Sequence, residues 1–269
     1  MGKVILVLSD ALRYDAALSG MGYLGHLVES GLASLYRIVG ELPSLSRPMY
    51  ETIHTGQPAS RHGIVANSIV RLSDQPNIFT IVKDSGLVTA AAAYFWYSEL
   101  YNRAPYDRIN DREVDDVSLP IQHGRFYTED EYPDLELFAS AAMLVRRFSP
   151  DYLLVHPMGM DYAGETHGAD SSQYRNHAVD QDAWLAPLLM EWMGLGYSIL
   201  VTGDHGINRD GAHGGPASDQ REVPLYLILP GRAGQGHTGQ TVSHLQIAPT
   251  ILKLLSLPIP KTMEKSPLV

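Results

Sequence analysis

The sequence predicts an α/β protein, an α/β/α sandwich with a mostly parallel central sheet. Three observations carry this. Five short apolar runs are rich in Leu and β-branched residues and do not alternate with polar ones, the pattern of strands buried on both faces. Segments with helical spacing lie between them, and strands alternating with helices give a parallel sheet covered on both sides. Several of the runs also lead into acidic residues, which places polar chemistry at one edge of the sheet.

In chain order, VILVLSD (4–10) is the first strand, and LGHLVESG (24–31) is a helix stopped by glycine. ELPSLSRPMYETIHTG (41–56) holds a turn and then a helix, with Pro48 suited to its first turn. LVTAAAAYF (87–95) is a second strand. The polar, aromatic and weakly periodic stretch 97–130 reads either as a small insertion or lid beside the site or as a surface excursion. PDLELFASAAMLVRRF (133–148) begins with Pro133 and Asp134 and ends in two arginines, matching the helix dipole. DYLLVHPM (151–158) is a strand, 171–196 a long helix, and YSILVTGD (197–204) and PLYLILPG (224–231) two further parallel strands. HLQIAPTILKLLSLPIP (244–260) is a last helix with a proline-rich exit. With 269 residues and no internal repeat, one catalytic domain spanning 1–269 is expected.

Composition narrows the function. A net charge of −10 argues against a nucleic-acid polymer or an anionic membrane as partner. A small phosphorylated substrate stays open, because bound cations reverse the sign locally. Without cysteine there is no disulfide, thiolate chemistry or Cys-ligated zinc. The chain enters a strand at once, its Gly2 lacks the rest of a myristoylation pattern, and no apolar run approaches the length of a membrane span. A cytoplasmic protein is expected. The sequence leaves the oligomeric state open.

The chemistry gathers at the strand ends. Asp10 ends the first run, Asp161 follows LLVHPMGM, and Asp204 and His205 end the run at 197–204. A single Asp in such a place can be a helix cap. Three carboxylates and an imidazole at one edge repel or stay unpaired unless cations hold them, and this donor set suits Zn²⁺ or Mn²⁺. Ser46 lies at the start of its helix, where its hydroxyl either caps the helix or, activated by a metal at the positive helix end, is a nucleophile.

These motifs resemble the alkaline phosphatase superfamily, and within it the type I phosphodiesterase/nucleotide pyrophosphatase branch. The resemblance rests on SDALRYD at 9–15, PSLS at 43–46, TGQPASRHGIVAN at 55–67, DYAGETHG at 161–168, DHG at 204–206 and AHGG at 212–215. It covers most of the chain in the right order. It implies an alkaline-phosphatase-like fold and two divalent metal ions, zinc first and manganese second. One metal would take Asp10, Ser46, Asp204 and His205; the other would take Asp161, His213 and a residue near position 165. The resemblance also implies that Asn67 hydrogen-bonds a phosphoryl oxygen; on its own residues, Asn67 is a turn residue.

Two departures stand out. The family places His four residues after the Asp, where this chain has Glu165, with His167 two residues on. Glu165 is preferred as ligand because Gly164 and Gly168 keep the register. Arg47 follows the nucleophile where nucleotide-cleaving members carry an aromatic residue. It is expected to hold a second anionic group of the substrate or to pair with an acid. His54, His62, His156 and His177 are taken as structural or surface residues.

The implied reaction is phosphodiester or pyrophosphate hydrolysis through a Ser46 phosphoryl-enzyme. Phosphomonoesterase, phosphonate hydrolase and, less favoured, sulfatase activity are alternatives on the same scaffold. A degenerate metal-binding regulator and a transferase to an acceptor other than water are alternatives of other classes.

Overall fold

The computed structural model describes residues 2–269. Nine strands form one sheet: β1 (Lys3–Ser9), β2 (Ala33–Val39), β3 (Thr89–Tyr94), β4 (Glu113–Asp115), β5 (His123–Tyr127), β6 (Tyr152–Val155), β7 (Tyr197–Gly203), β8 (Glu222–Ile228) and β9 (Gly236–Val242). Their order is β4-β5-β3-β6-β1-β7-β8-β2-β9. The five central strands, from β5 to β7, run parallel. The helices that carry or brace the site are α1 (Gly22–Glu29), α2 (Ser46–Thr55), α3 (Trp96–Tyr101), α4 (Asp134–Phe148), α5 (Gly159–His167), α6 (Ser172–Gly194) and α7 (Ile247–Leu254).

The unbroken apolar runs follow from two cores, one on each face of the sheet. In β1, Ile5 and Val7 enter one core, while Val4, Leu6 and Leu8 enter the other. Successive side chains point to opposite faces, so a strand covered twice needs apolar residues at every position. α4 and α6 supply Leu137, Phe138, Leu185 and Trp192 to the first core. α2 and α7 supply Tyr50, Ile53, Ile251 and Leu252 to the second.

One predicted direction is corrected. The run at 224–231 forms β8, which is antiparallel to both β7 and β2. The link from β7 to β8 contains only the short helix Ser218–Arg221 and makes no crossover, so the chain returns the opposite way. Burial periodicity reports that a strand is covered, not which way it runs. The last helix is also shorter than predicted: a 3₁₀ turn at His244–Gln246 and then α7, with Pro258 and Pro260 beyond its end. Four strands were not anticipated. β2 was missed inside the ASLYRIV stretch, and β4, β5 and β9 are partly exposed, so their patterns are weak. The 97–130 stretch builds β4 and β5 onto one edge of the sheet. No helix among the described residues is long and apolar enough to cross a membrane.

Candidate active site

The parallel strands end together, and the candidate residues stand there. Asp10 follows β1, His156 follows β6, and Asp204 and His205 follow β7. After Asp10 the backbone turns sharply: Ala11 has φ +56°, a strained value for a residue with a side chain. The turn aims the Ala11 N–H at Asp204 Oδ1, 3.1 Å away. Gly206, after the Asp-His pair, has a packing reason. A Cβ there would lie 2.2 Å from the Asp219 carbonyl oxygen.

Ser46 opens α2, whose N-terminal end favours negative charge. Its Oγ is 3.1 Å from His205 Nε2, and the side chain is buried. Asn67 reaches back to the same helix end, its Oδ1 accepting the Arg47 backbone N–H at 3.0 Å. That bond leaves the Asn67 amide nitrogen as the donor available to the pocket.

Two groups of side chains converge. Asp10, Asp204 and His205 place ligand atoms within 4.8 Å of one another, and so do Asp161, His205 and His213. Glu165 joins the second group, its Oε1 3.2 Å from His213 Nε2. The His205 and His213 rings stack 4.2 Å apart, and the His213 loop is pinned where Ser44 Oγ donates to the Gly215 carbonyl. Asp10 Oδ1, Asp161 Oδ1 and Asp204 Oδ2 are buried and receive no hydrogen bond. Unsatisfied buried carboxylate oxygens are costly. Divalent cations would satisfy all three at once, so these residues fit a two-metal centre with zinc or manganese donors.

The electrostatics agree. Burial, followed by the charge of Asp10, pushes Asp204 up to about 6 and Asp161 well above its usual range. Burial disfavours a charged His205, yet Asp204 and Asp10 raise it to about 10. Burial also opposes ionised Asp10, but the neighbouring His156 and His205 rings outweigh it and hold the carboxyl low. The cluster has more negative charge than its own side chains balance.

The structure brings together Asp10, Ser46, Asn67, Asp161, Glu165, Asp204, His205 and His213. It does not bring His167 there. Gly168 ends α5 with φ +79°, and a Cβ on it would lie 2.2 Å from the Arg209 carbonyl oxygen. Within α5, Glu165 stands one turn after Asp161 on the same face and lines the pocket, while His167 faces solvent.

Arg47 also departs from the substrate-binding expectation. It is fully buried, its Nη2 2.7 Å from Glu99 Oε2 and its guanidinium 4.4 Å from the Trp96 ring centroid. It pairs with an acid and does not line the pocket.

Sequence reasoning missed two groups under the site. His156 lies 3.3 Å from Asp10 Oδ2, so it is no remote structural histidine, and Tyr50 donates to the same oxygen. His156 ends a buried strand much as His205 does, which was the available signal. Tyr50, one turn after Ser46, carried none. His54 and His62 are buried structural groups, bonded to Tyr152 and Thr52. His177 is half-buried against Asp134.

The comparisons agree with this geometry. Residues 4–210 match the model of the type I phosphodiesterase/nucleotide pyrophosphatase family. The human GPI ethanolamine phosphate transferase 2 catalytic subunit is 25% identical over 96% of this chain and 27% of its own length. The mouse GPI ethanolamine phosphate transferase 3 catalytic subunit is 24% identical over 96% of this chain and 24% of its own. The chain thus spans about a quarter of the length of these curated relatives. Among solved structures, murine ectonucleotide pyrophosphatase/phosphodiesterase 5, in an inactive form with AMP, superposes with a TM-score of 0.71 at 13% identity. That match covers 97% of this chain and 96% of the other. A phosphonate monoester hydrolase from Silicibacter pomeroyi has a TM-score of 0.70 at 16% identity, covering 100% and 76%. At such identities the structures support the fold alone. With the family model matched across most of its length, the chain belongs to the type I phosphodiesterase/nucleotide pyrophosphatase family.

Proposed function

We propose that the chain is a metal-dependent phosphodiesterase that cleaves a small phosphodiester with Ser46 as nucleophile. The observation that carries this is the Ser46 hydroxyl at the start of α2, 3.1 Å from His205, the residue shared by two ligand groups whose carboxylates leave three buried oxygens without donors. Divalent cations at the two ligand groups would supply the Lewis acidity that activates the hydroxyl and neutralises charge developing on phosphorus-bound oxygens. The chain's own residues do the rest. The N-terminal end of α2 favours the phosphoryl anion. The Asn67 amide donates to one of its oxygens, and the α2 backbone orients Ser46 Oγ toward phosphorus. The attack forms the Ser46 Oγ–P bond and breaks the bond to the leaving alcohol, which departs with the proton given up by Ser46; the phosphoryl group, still carrying its other ester, stays on Ser46 until an acceptor hydroxyl takes it and returns a proton to the serine.

The acceptor defines a second reading. The relatives are named as ethanolamine phosphate transferases, which favours transfer of a phospho-alcohol group to another hydroxyl over release to water. Zinc is the first metal to test and manganese the second.

The test compares rates on an aryl phosphodiester and the matching monoester with metal-loaded protein, with Ser46→Ala as the blank. Product analysis is repeated with an added alcohol. A diester preference that disappears in Ser46→Ala supports the phosphodiesterase reading, and an alcohol adduct moves it to transfer. Monoester preference assigns a phosphomonoesterase instead. Near-full activity in Ser46→Ala overturns the nucleophile.

A further inference from the structure

One wall of the Ser46 pocket is left unused by the chemistry at phosphorus. The cavity, about 110 Å³, is lined by Ser46, Asn67, Asp161, Glu165 and His213, the residues of the candidate site. Tyr94, Trp96, Asp130 and Met158 complete it. These four come from separate places at the sheet edge: Tyr94 ends β3, Trp96 opens α3, Asp130 follows β5 and Met158 precedes α5.

The charge of this wall is unusual for a phosphate pocket. Anionic substrates are commonly held by Arg and Lys. No Arg or Lys lines this cavity, and Arg47, the arginine next to the nucleophile, is turned into Glu99. The wall instead presents a carboxylate. Asp130 belongs to neither metal-ligand group. It is exposed and in no ion pair among the described residues, while its neighbour Glu129 is taken by Arg108. Asp130 stands beside the Tyr94 hydroxyl, and burial followed by that carboxylate keeps the phenol protonated and able to donate. Around Asp130 the surface is apolar: the Tyr94 ring, the Met158 side chain and Trp96. Arg47 covers one face of the Trp96 indole.

A second phosphate or carboxylate would meet Asp130 without a counter-charge. An ammonium group a few bonds from phosphorus would meet it with opposite charge, its short carbon chain lying against Tyr94, Trp96 and Met158. We propose that Tyr94, Trp96, Asp130 and Met158 form an ammonium subsite, with Asp130 as specificity-determining residue for phosphodiesters of a short amino alcohol. This rests on the phosphoester reading and deepens it by assigning the residues that select the leaving or transferred alcohol.

The test uses two aryl diesters with metal-loaded protein: 4-nitrophenyl 2-aminoethyl phosphate and 4-nitrophenyl propyl phosphate, which differ in one ammonium. The protein should favour the amino ester in kcat/KM by about tenfold, the scale of one charge-assisted hydrogen bond at a partly wet site. In Asp130→Asn the ratio should fall toward one, and Asp130→Glu should recover part of it. Equal rates on both esters, or a ratio kept in Asp130→Asn, overturns the subsite while leaving the phosphoester reading intact. If neither ester is cleaved, that reading fails by itself, and the subsite is read by calorimetry. Metal-loaded Ser46→Ala protein should bind 2-aminoethyl phosphate about tenfold more tightly than propyl phosphate. Equal affinity, or no binding of either, overturns it.

Discussion

Glu51 lies on α2, the helix that presents Ser46, and its carboxyl is buried beside Ser73 and Tyr101. Ser73 donates to one oxygen, and the Tyr101 hydroxyl donates to the other at 2.9 Å. Burial dominates, and although those bonds and Arg71 pull the other way, it raises the carboxyl from 4.5 to about 7. Below the unfolded value the group is protonated in both states, and stability is full. Between 4.5 and 7 the unfolded chain ionises while the folded chain keeps its proton, so stability falls as pH rises. Above 7 the loss is complete, at about 3 kcal/mol. Glu51→Gln keeps the shape and removes the titration. Against wild type it should be more stable by about 3 kcal/mol at pH 8, which is about 5 °C in Tm for a chain of this size. At pH 5 the gap should shrink to under about 1 kcal/mol, since wild type is then mostly neutral at this site in the folded state. Thermal melts of both proteins at both pH values, at one metal concentration, read the difference directly. Titrations elsewhere cancel between the two proteins. A gap of equal size at both pH values, or a variant less stable than wild type at pH 8, refutes the reasoning.

The Arg47–Glu99 pair gives a second test: Glu99→Gln strands a buried guanidinium and should cost about 3–5 kcal/mol in urea unfolding, with much of it recovered in Arg47→Met/Glu99→Leu. A raised KM with unchanged stability would instead return Arg47 to the substrate. Glu165→Ala should lower bound metal below two ions per chain by elemental analysis, while His167→Ala should not; the reverse pattern would put His167 in the site. Asp204→Asn should likewise lose metal, and the chelator sensitivity of wild-type Tm should then be absent from the variant, because a bound cation stabilises only the state that holds it. Retained metal in Asp204→Asn would exclude it from the ligand set.

Much of the site is legible in the sequence because its residues sit at fixed places relative to strand ends. Asp10 and Asp204-His205 follow buried runs directly, and a strand that is apolar throughout marks where its polar successor emerges. Ser46 is legible through Pro48, which fixes where α2 can start. The choice between Glu165 and His167 depended on α5 running through both, which puts Glu165 on the face of Asp161, with Gly168 ending the helix at a positive φ. Glycine at that position permits the conformation, but the sequence does not reveal the Arg209 carbonyl that requires it.

Composition and periodicity determined the fold class, the doubly covered sheet and the edge at which ligands gather, because these depend on local patterns of burial. Only the tertiary structure decided the partners. It turned Arg47 away from the substrate and into Glu99, 52 residues away in sequence, placed His156 and Tyr50 beneath Asp10, reversed β8, and carried Asp130 from the sheet's edge to the pocket. Each of these is a contact between segments distant in the chain. A side chain's charge can be read from its own residue, but the group that neutralises it is chosen by packing.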